Sequence, residues 1–180
     1  MKKQLLAAGL TIMMLAAAGC SGAKTNVPAT SEAPSEIGMA NPWTEDENAD
    51  AAAQAAGVGY FVLPENGTEY DGGKIDFYSY QHMEELAEAD GDIGAASIIV
   101  RKGLKQNSED VSGDYTEYAK TWSFDVDGFT VNCYGQEEGK ANKILWLSDN
   151  FSYSICVYGQ GDDNYGIGDN DVKALVATIQ

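Results

Sequence analysis

Apolar positions recur along the body of the chain at two periods, and the change of period divides it into elements. Ala49, Ala52, Ala53 and Ala56 fall at i, i+3, i+4 and i+7, the one-face spacing of an α-helix. Thr44 and Glu47 stand at capping-box spacing, where a hydroxyl and a carboxylate satisfy free N–H groups of a first turn, and Gly57 supplies a stop. The spacing predicts a helix over Glu45–Ala56, its alanine stripe narrow enough to lie close on a sheet. Beyond it the period falls towards two. Val58–Leu63 is a β-like run closed by Pro64 and an Asn66-Gly67 turn, followed by Lys74–Tyr80 and by Ala95–Arg101 with its Ser97-Ile98-Ile99-Val100 core. Thr121–Val126 and Phe129–Tyr134 are separated by Asp127-Gly128, a strong hairpin signal, and Lys143–Leu147 and Ser152–Tyr158 flank Ser148-Asp149-Asn150. His82–Asp90 has helical propensity. Val172, Leu175, Val176 and Ile179 restore the helical period at the end, with Asp169 as candidate N-cap and Asp171 in the first turn. Strands bracketed by two short helices predict an α+β fold: a twisted, mostly antiparallel sheet with an N-terminal and a C-terminal helix packed on it.

Composition narrows the function. With 180 residues the chain is long enough for one core, and at 44% hydrophobic it carries the apolar surface to build it. Twenty-eight acids against 11 bases give a net charge of −17, which excludes nucleic acid as a partner, since that binding rests on neutralising phosphates. A single histidine excludes sites that need two imidazoles.

The amino terminus sets the compartment. Lys2 and Lys3 precede Leu5–Gly19, an uncharged, largely apolar run of 15 residues. As a helix it would reach about 22 Å, short of a bilayer's hydrocarbon thickness, so it has the form of an export signal and not of a membrane span. Leu15-Ala16-Ala17-Ala18-Gly19-Cys20 resembles the lipobox of bacterial lipoproteins, with Ala17 where that pattern favours leucine. The resemblance implies cleavage before Cys20 and lipidation of its thiol, placing the protein on the extracytoplasmic face of the cell membrane; two or three acyl chains anchor stably. Loss of Met1–Gly19 removes two lysines and no acid, taking the charge from −17 to −19. Ser21–Ala40, rich in Ser, Thr, Ala, Gly and Pro, has the composition of a flexible linker with a span of roughly 25 Å. The single folded domain is then expected over residues 41–180.

Several landmarks carry a second resemblance: Asn41-Pro42-Trp43 before a helix, Arg101-Lys102-Gly103, Glu109-Asp110-Val111-Ser112-Gly113-Asp114-Tyr115, and Trp146 before Ser152-Tyr153-Ser154-Ile155. Over roughly residues 41–180 the chain resembles a domain of unknown function on lipoproteins of Firmicutes and related bacteria. That domain is itself similar to the extracytoplasmic region of some membrane-bound anti-sigma factors. The resemblance implies an α+β fold outside the membrane and no catalytic residues. The chain has no spanning helix or cytoplasmic segment after Cys20, so direct sigma-factor binding is not expected.

Candidate chemistry is sparse. Cys133 and Cys156 lie in predicted strands with a third strand between them in sequence. They are two buried thiols in a simple meander, and a disulfide only if the strand order is shuffled. Asp162 and Asp163, with Asp169 and Asp171, form an oxygen-rich stretch, but counting from Asp162 puts Gly166 and Ile167 where a calcium loop needs a ligand and a glycine, and Lys173 where it needs glutamate. No metal and no cofactor is expected. Ser112 lacks a nucleophile elbow, and its only imidazole would be His82; Ser112-Gly113-Asp114 is expected to form a tight loop with Tyr115 and Tyr118 beneath it. Trp43, Trp122, Trp146 and ten tyrosines serve either a core or a binding surface. The sequence therefore favours a non-enzymatic binding or envelope-associated module, with two alternatives. One is an envelope enzyme using paired carboxylates; the other is a carrier with an apolar cavity between sheet and helices.

Overall fold

The computed structural model describes residues 41–159 and 165–180; Cys20, the linker, Asp162 and Asp163 lie outside them. In chain order the elements are β1 (Thr44–Asp46), α1 (Ala49–Ala55), β2 (Glu69–Tyr70), β3 (Gly73–Met83), β4 (Leu86–Ile93), β5 (Ala96–Leu104), β6 (Lys120–Val126), β7 (Phe129–Gly135), β8 (Lys140–Ala141), β9 (Lys143–Leu147), β10 (Phe151–Gly159), β11 (Ile167–Gly168) and α2 (Asp169–Thr178). Eight strands pair antiparallel in the order β1-β3-β4-β5-β10-β9-β7-β6, with β2 added beside β3; β8 and β11 form a small second ladder. The fold is α+β, as the periodicity predicts.

Two meanders make the large sheet. One runs through β3, β4 and β5; the other returns from the far edge through β6, β7, β9 and β10. They join where β10 lies antiparallel to β5, Ile155 opposite Val100. Register then fixes one apolar face across every strand. Ile75 pairs with Ile93, Ala89 with Val100, Val157 with Ile98, Ile155 with Ile144, Cys133 with Ile144 and Val131 with Phe124. Directly paired residues point to the same side of a sheet, so these form one continuous inner face. Both helices cover it.

Small residues set how closely α1 can approach. Its Ala52 and Ala53 are fully buried, and it packs on β3 and β4, where Ala87, Ala89 and Gly91 face inward. A side chain at Gly91 would meet the Asp76 carbonyl at 2.5 Å. The N-cap is Asn48, whose side chain accepts from Ala51 N–H at 2.9 Å, and not Thr44. Thr44 belongs instead to β1, paired with His82, so the helix begins four residues later than the capping-box spacing predicts. At the other end Val172, Leu175, Val176 and Ile179 are buried, as their period requires. Gly168 is the N-cap and gives no side-chain bond, whereas Asp169 accepts from the Trp122 indole at 2.9 Å. Asp171 accepts from the N–H groups of Asp71 and Gly72, both at 2.8 Å, tying the β2–β3 turn to the helix start.

Two further expectations are corrected. His82–Asp90 is not helical: it is a hairpin, Met83 opposite Leu86, with Glu84-Glu85 as the turn and Glu85 at φ 62. Alternation of Ala87, Ala89, Gly91 and Ile93 on the buried face outweighs the helical preference of Glu, Leu and Ala. Val58–Leu63 is not a strand. It begins with Gly57 and Gly59 at positive φ, and its one ladder-like partner is the last residue, through Val62 N–H to Gln180 O at 2.9 Å and Gln180 N–H to Val62 O at 3.3 Å.

Candidate binding cleft

Strand β5 alternates Ala96, Ile98, Val100 and Lys102 on its inner side, so the period that buries three apolar residues buries a lysine as the fourth. Lys102 is 1% exposed. Its ammonium donates to the Tyr60 carbonyl at 2.6 Å and lies 4.3 Å from the Phe151 ring centre, 4.7 Å from Tyr60 and 5.4 Å from Tyr153. Tyr153 in turn stacks on Trp146, ring centres 5.0 Å apart and planes 7° from parallel. Such rings stabilise a cation through their π faces. Among the described residues no carboxylate forms an ion pair with Lys102. Burial pulls its pKa down to about 8, against which the charge of Asp50 acts.

Lys102 forms part of the wall of a cleft of about 460 Å³ between the inner face and the end of α2. Phe129, Trp146, Phe151 and Tyr153 line it from the sheet, Tyr60 from the preceding segment, and Val176 and Ile179 from the C-terminal end. Besides Lys102 and Gln180, its polar lining comes from two hairpin turns: Asp127 between β6 and β7, and Ser148-Asp149-Asn150 between β9 and β10. The first turn has Asp127 at φ 49 and Gly128 at φ 90, the backbone that an Asp-Gly hairpin needs. Concave, aromatic-lined space with a few polar groups is the usual form of a small-molecule site.

The outer face is crossed by the connection from β5 to β6, residues 105–119. It must pass over β10, β9 and β7 to reach the far edge, and two cations fasten it. Arg101 donates to the carbonyls of Val111 and Ser112 while pairing with Glu88, and lies 5.4 Å from the centre of the Trp43 ring. Lys143 donates to the Asp114 carbonyl at 3.1 Å and approaches Asp110 at 3.4 Å. Burial opposes ionisation of Asp110 and Asp114. Hydrogen bonds from Ser112 to the first and from Thr116 and Tyr118 to the second, together with the Lys143 charge, outweigh it and hold both below the ordinary carboxylate range. Ser112-Gly113-Asp114 is thus a tight loop with Tyr118 bonded to Asp114, but Tyr115 is 95% exposed and packs beneath nothing.

The remaining sequence candidates do not assemble. Ser112 donates to Asp110 on the outer side, whereas His82 bonds Asp46 at 2.7 Å on the inner side of the β1–β3 edge. Cys133 and Cys156 are free thiols. Strand β9 stands between them, and the pairing of both Cys133 and Ile155 with Ile144 places Cys133 on the inner face and Cys156 on the outer. Burial pushes Cys133 up to about 12, with Asp169 adding to it, and Cys156 up to about 11. Asp169 and Asp171 are engaged by Trp122 and by backbone N–H groups, and among the described residues no His, Cys, Asp and Glu cluster is arranged to hold a metal. Glu88 and Asp90 both meet the Gln81 amide, and burial and the Glu88 charge raise Asp90 to about 6 although Arg101 opposes them. The adjacent outer cleft is lined by Arg101 but by neither carboxylate.

Lys102 entered the sequence reading only as part of the Arg101-Lys102-Gly103 landmark and not as a candidate site residue. The available signal was its place two positions past Val100, on the same side of a strand. Compared with known proteins, the chain matches no family model, no curated protein and no solved structure. Among the described residues no helix is long and apolar enough to cross a membrane.

Proposed function

We propose that this protein is a lipid-anchored extracytoplasmic lipoprotein whose body is a non-enzymatic binding module, with the cleft around Lys102 as its ligand site. The observation that carries the binding role is a buried ammonium held by three aromatic rings, with no carboxylate among the described residues paired to it, in the wall of a solvent-accessible cleft. Burying a cation without a counter-charge costs stability, and a site that receives a ligand gives that cost a purpose. Support for the anchor comes from the basic start, the short apolar run and Cys20 at its end. On this reading the partner at the amino terminus is the cell membrane, and the linker Ser21–Ala40 joins the anchor to the body.

The paired-carboxylate reading draws on Glu88 and Asp90, one with a raised pKa, but Glu88 is neutralised by Arg101 and the cleft beside them does not reach either acid. The carrier reading draws on the same cleft as ours, yet Lys102, Asp127 and Asp149 line it with charge. Fractionation of cells expressing the full chain tests the anchor. The expected result is a detergent-extractable membrane protein cleaved by external protease, and a Cys20→Ala variant lost from that fraction. Recovery of the unprocessed chain from cytosol overturns it.

A further inference from the structure

We infer that the cleft selects small monocarboxylates with a flat apolar body, the carboxylate pairing with Lys102 and the body lying against Phe129, Phe151 and Tyr60. This rests on the proposal that the cleft is the ligand site, and names the chemistry it takes. An ammonium has three N–H donors, and Lys102 spends one on the Tyr60 carbonyl; no other hydrogen-bond acceptor meets it among the described residues. Phe151, Tyr60 and Tyr153 offer π faces to the charge, which hold a cation but satisfy a donor less well than an oxygen does. A carboxylate supplies both the missing acceptor and the missing counter-charge, and a charge-assisted bond to an ammonium buried in the wall is stronger than a neutral one.

The rest of the lining limits what can carry that carboxylate. Asp127 and Asp149 stand in the same cleft and repel a ligand with two or more negative charges, which disfavours phosphates and polyanions. Their oxygens accept hydrogen bonds, so a hydroxyl or amino group on the far end of the ligand is well placed. Trp146 and Tyr153, 2% and 5% exposed, back the wall as a nearly parallel pair, while the half-buried Phe129 and Phe151 and the exposed Tyr60 present the ring surface suited to an aromatic or planar apolar group. The volume of about 460 Å³ suits a compact molecule and is far too small for a folded partner. Tyr60 is 57% exposed although its ring lies 4.7 Å from the Lys102 ammonium, so it joins the buried charge to the solvent side of the cleft.

A matched pair of probes tests this on the full chain carrying Cys20→Ala. Phenylacetate and its neutral amide, phenylacetamide, differ in charge and little in shape. Titration calorimetry at neutral pH is expected to show phenylacetate binding at least ten-fold more tightly, with the Trp146 indole N–H signal shifting in the NMR spectrum as the cleft fills. Inorganic phosphate should bind at least ten-fold more weakly than phenylacetate. Lys102→Met should abolish the preference for the acid while keeping or raising the thermal midpoint, which separates loss of the site from loss of the fold. Equal affinity for acid and amide, or a preference surviving in Lys102→Met, overturns the carboxylate inference and leaves the cleft standing as a ligand site. Phosphate binding as tightly as phenylacetate also overturns it. If neither organic probe binds or moves Trp146, both the inference and the site on which it rests fall.

Discussion

At the scale of single residues, burial against the ordinary preference of a side chain separates the informative positions from the rest. Lys102 and Ser154 are both buried on β5 and β10, yet for different reasons. Ser154 Oγ has no hydrogen-bond partner among the described residues and points to the outer face, a small residue under the crossover. Lys102 keeps a charge inside, and that has a thermodynamic signature. Its folded pKa is about 8 against an ordinary 10.5, so between these values the unfolded chain binds more protons than the folded one. Stability then rises with pH across that window, since the penalty is full below about 8 and is relieved as the unfolded lysine also loses its proton. Urea denaturation between pH 8 and pH 10.5 should show this upward trend superposed on other groups, and Lys102→Met should remove that component. An identical slope in both proteins would mean that Lys102 carries no unpaired charge in the fold.

At the scale of elements, glycines report which turns are merely bent and which are also crowded. Gly128 lies at φ +90 with nothing near a would-be side chain, so Gly128→Ala should cost only the left-handed backbone, about 1 kcal/mol. Gly113 lies at φ +64, and a Cβ there would stand 2.3 Å from Arg101 Nη1. Gly113→Ala should therefore cost more than Gly128→Ala and should raise proteolytic nicking within residues 105–119, because Arg101 must release the crossover. Equal costs with unchanged nicking would show that the Arg101 contact does not fasten this segment. The same elements show what was legible in sequence. Hairpins with a strong turn dipeptide and clean alternation, such as β6–β7, read directly, and both turns that line the cleft, at Asp127 and at Ser148–Asn150, lie where the pattern puts them. Propensity misled where tertiary pairing decided: Leu86, Ala87, Glu88 and Ala89 are helix formers held extended by β3 and β5. Lys102 was legible as an inward position but not as a site. Its aromatic partners Tyr60, Phe151 and Tyr153 come from segments distant in sequence, and only the β5–β10 register brings them together.

For the whole molecule, the two cysteines are reporters of opposite faces of one sheet. Cys133 is fully buried on the inner side and Cys156 is 1% exposed on the outer, each with a raised pKa, so neither thiolate is available while the sheet is closed. In the Cys20→Ala chain, labelling by an aromatic disulfide at pH 8 should run roughly a thousand-fold or more slower in buffer than in urea. Both thiols should react at one common rate if the meanders open together. A much faster Cys156 would show that the crossover lifts on its own and that the outer face opens separately.

The seam between β5 and β10 also governs the order in which the structure can be completed. As the chain is made, β3, β4 and β5 emerge first and can zip locally, leaving the Ala96–Leu104 edge without its neighbour until Phe151–Gly159 follows. For that interval the newborn polypeptide displays a long, sticky, valine- and isoleucine-bearing border of the kind that recruits other chains. Any stop codon upstream of Phe151 would make the hazard permanent, yielding a fragment that clumps and not a smaller working protein.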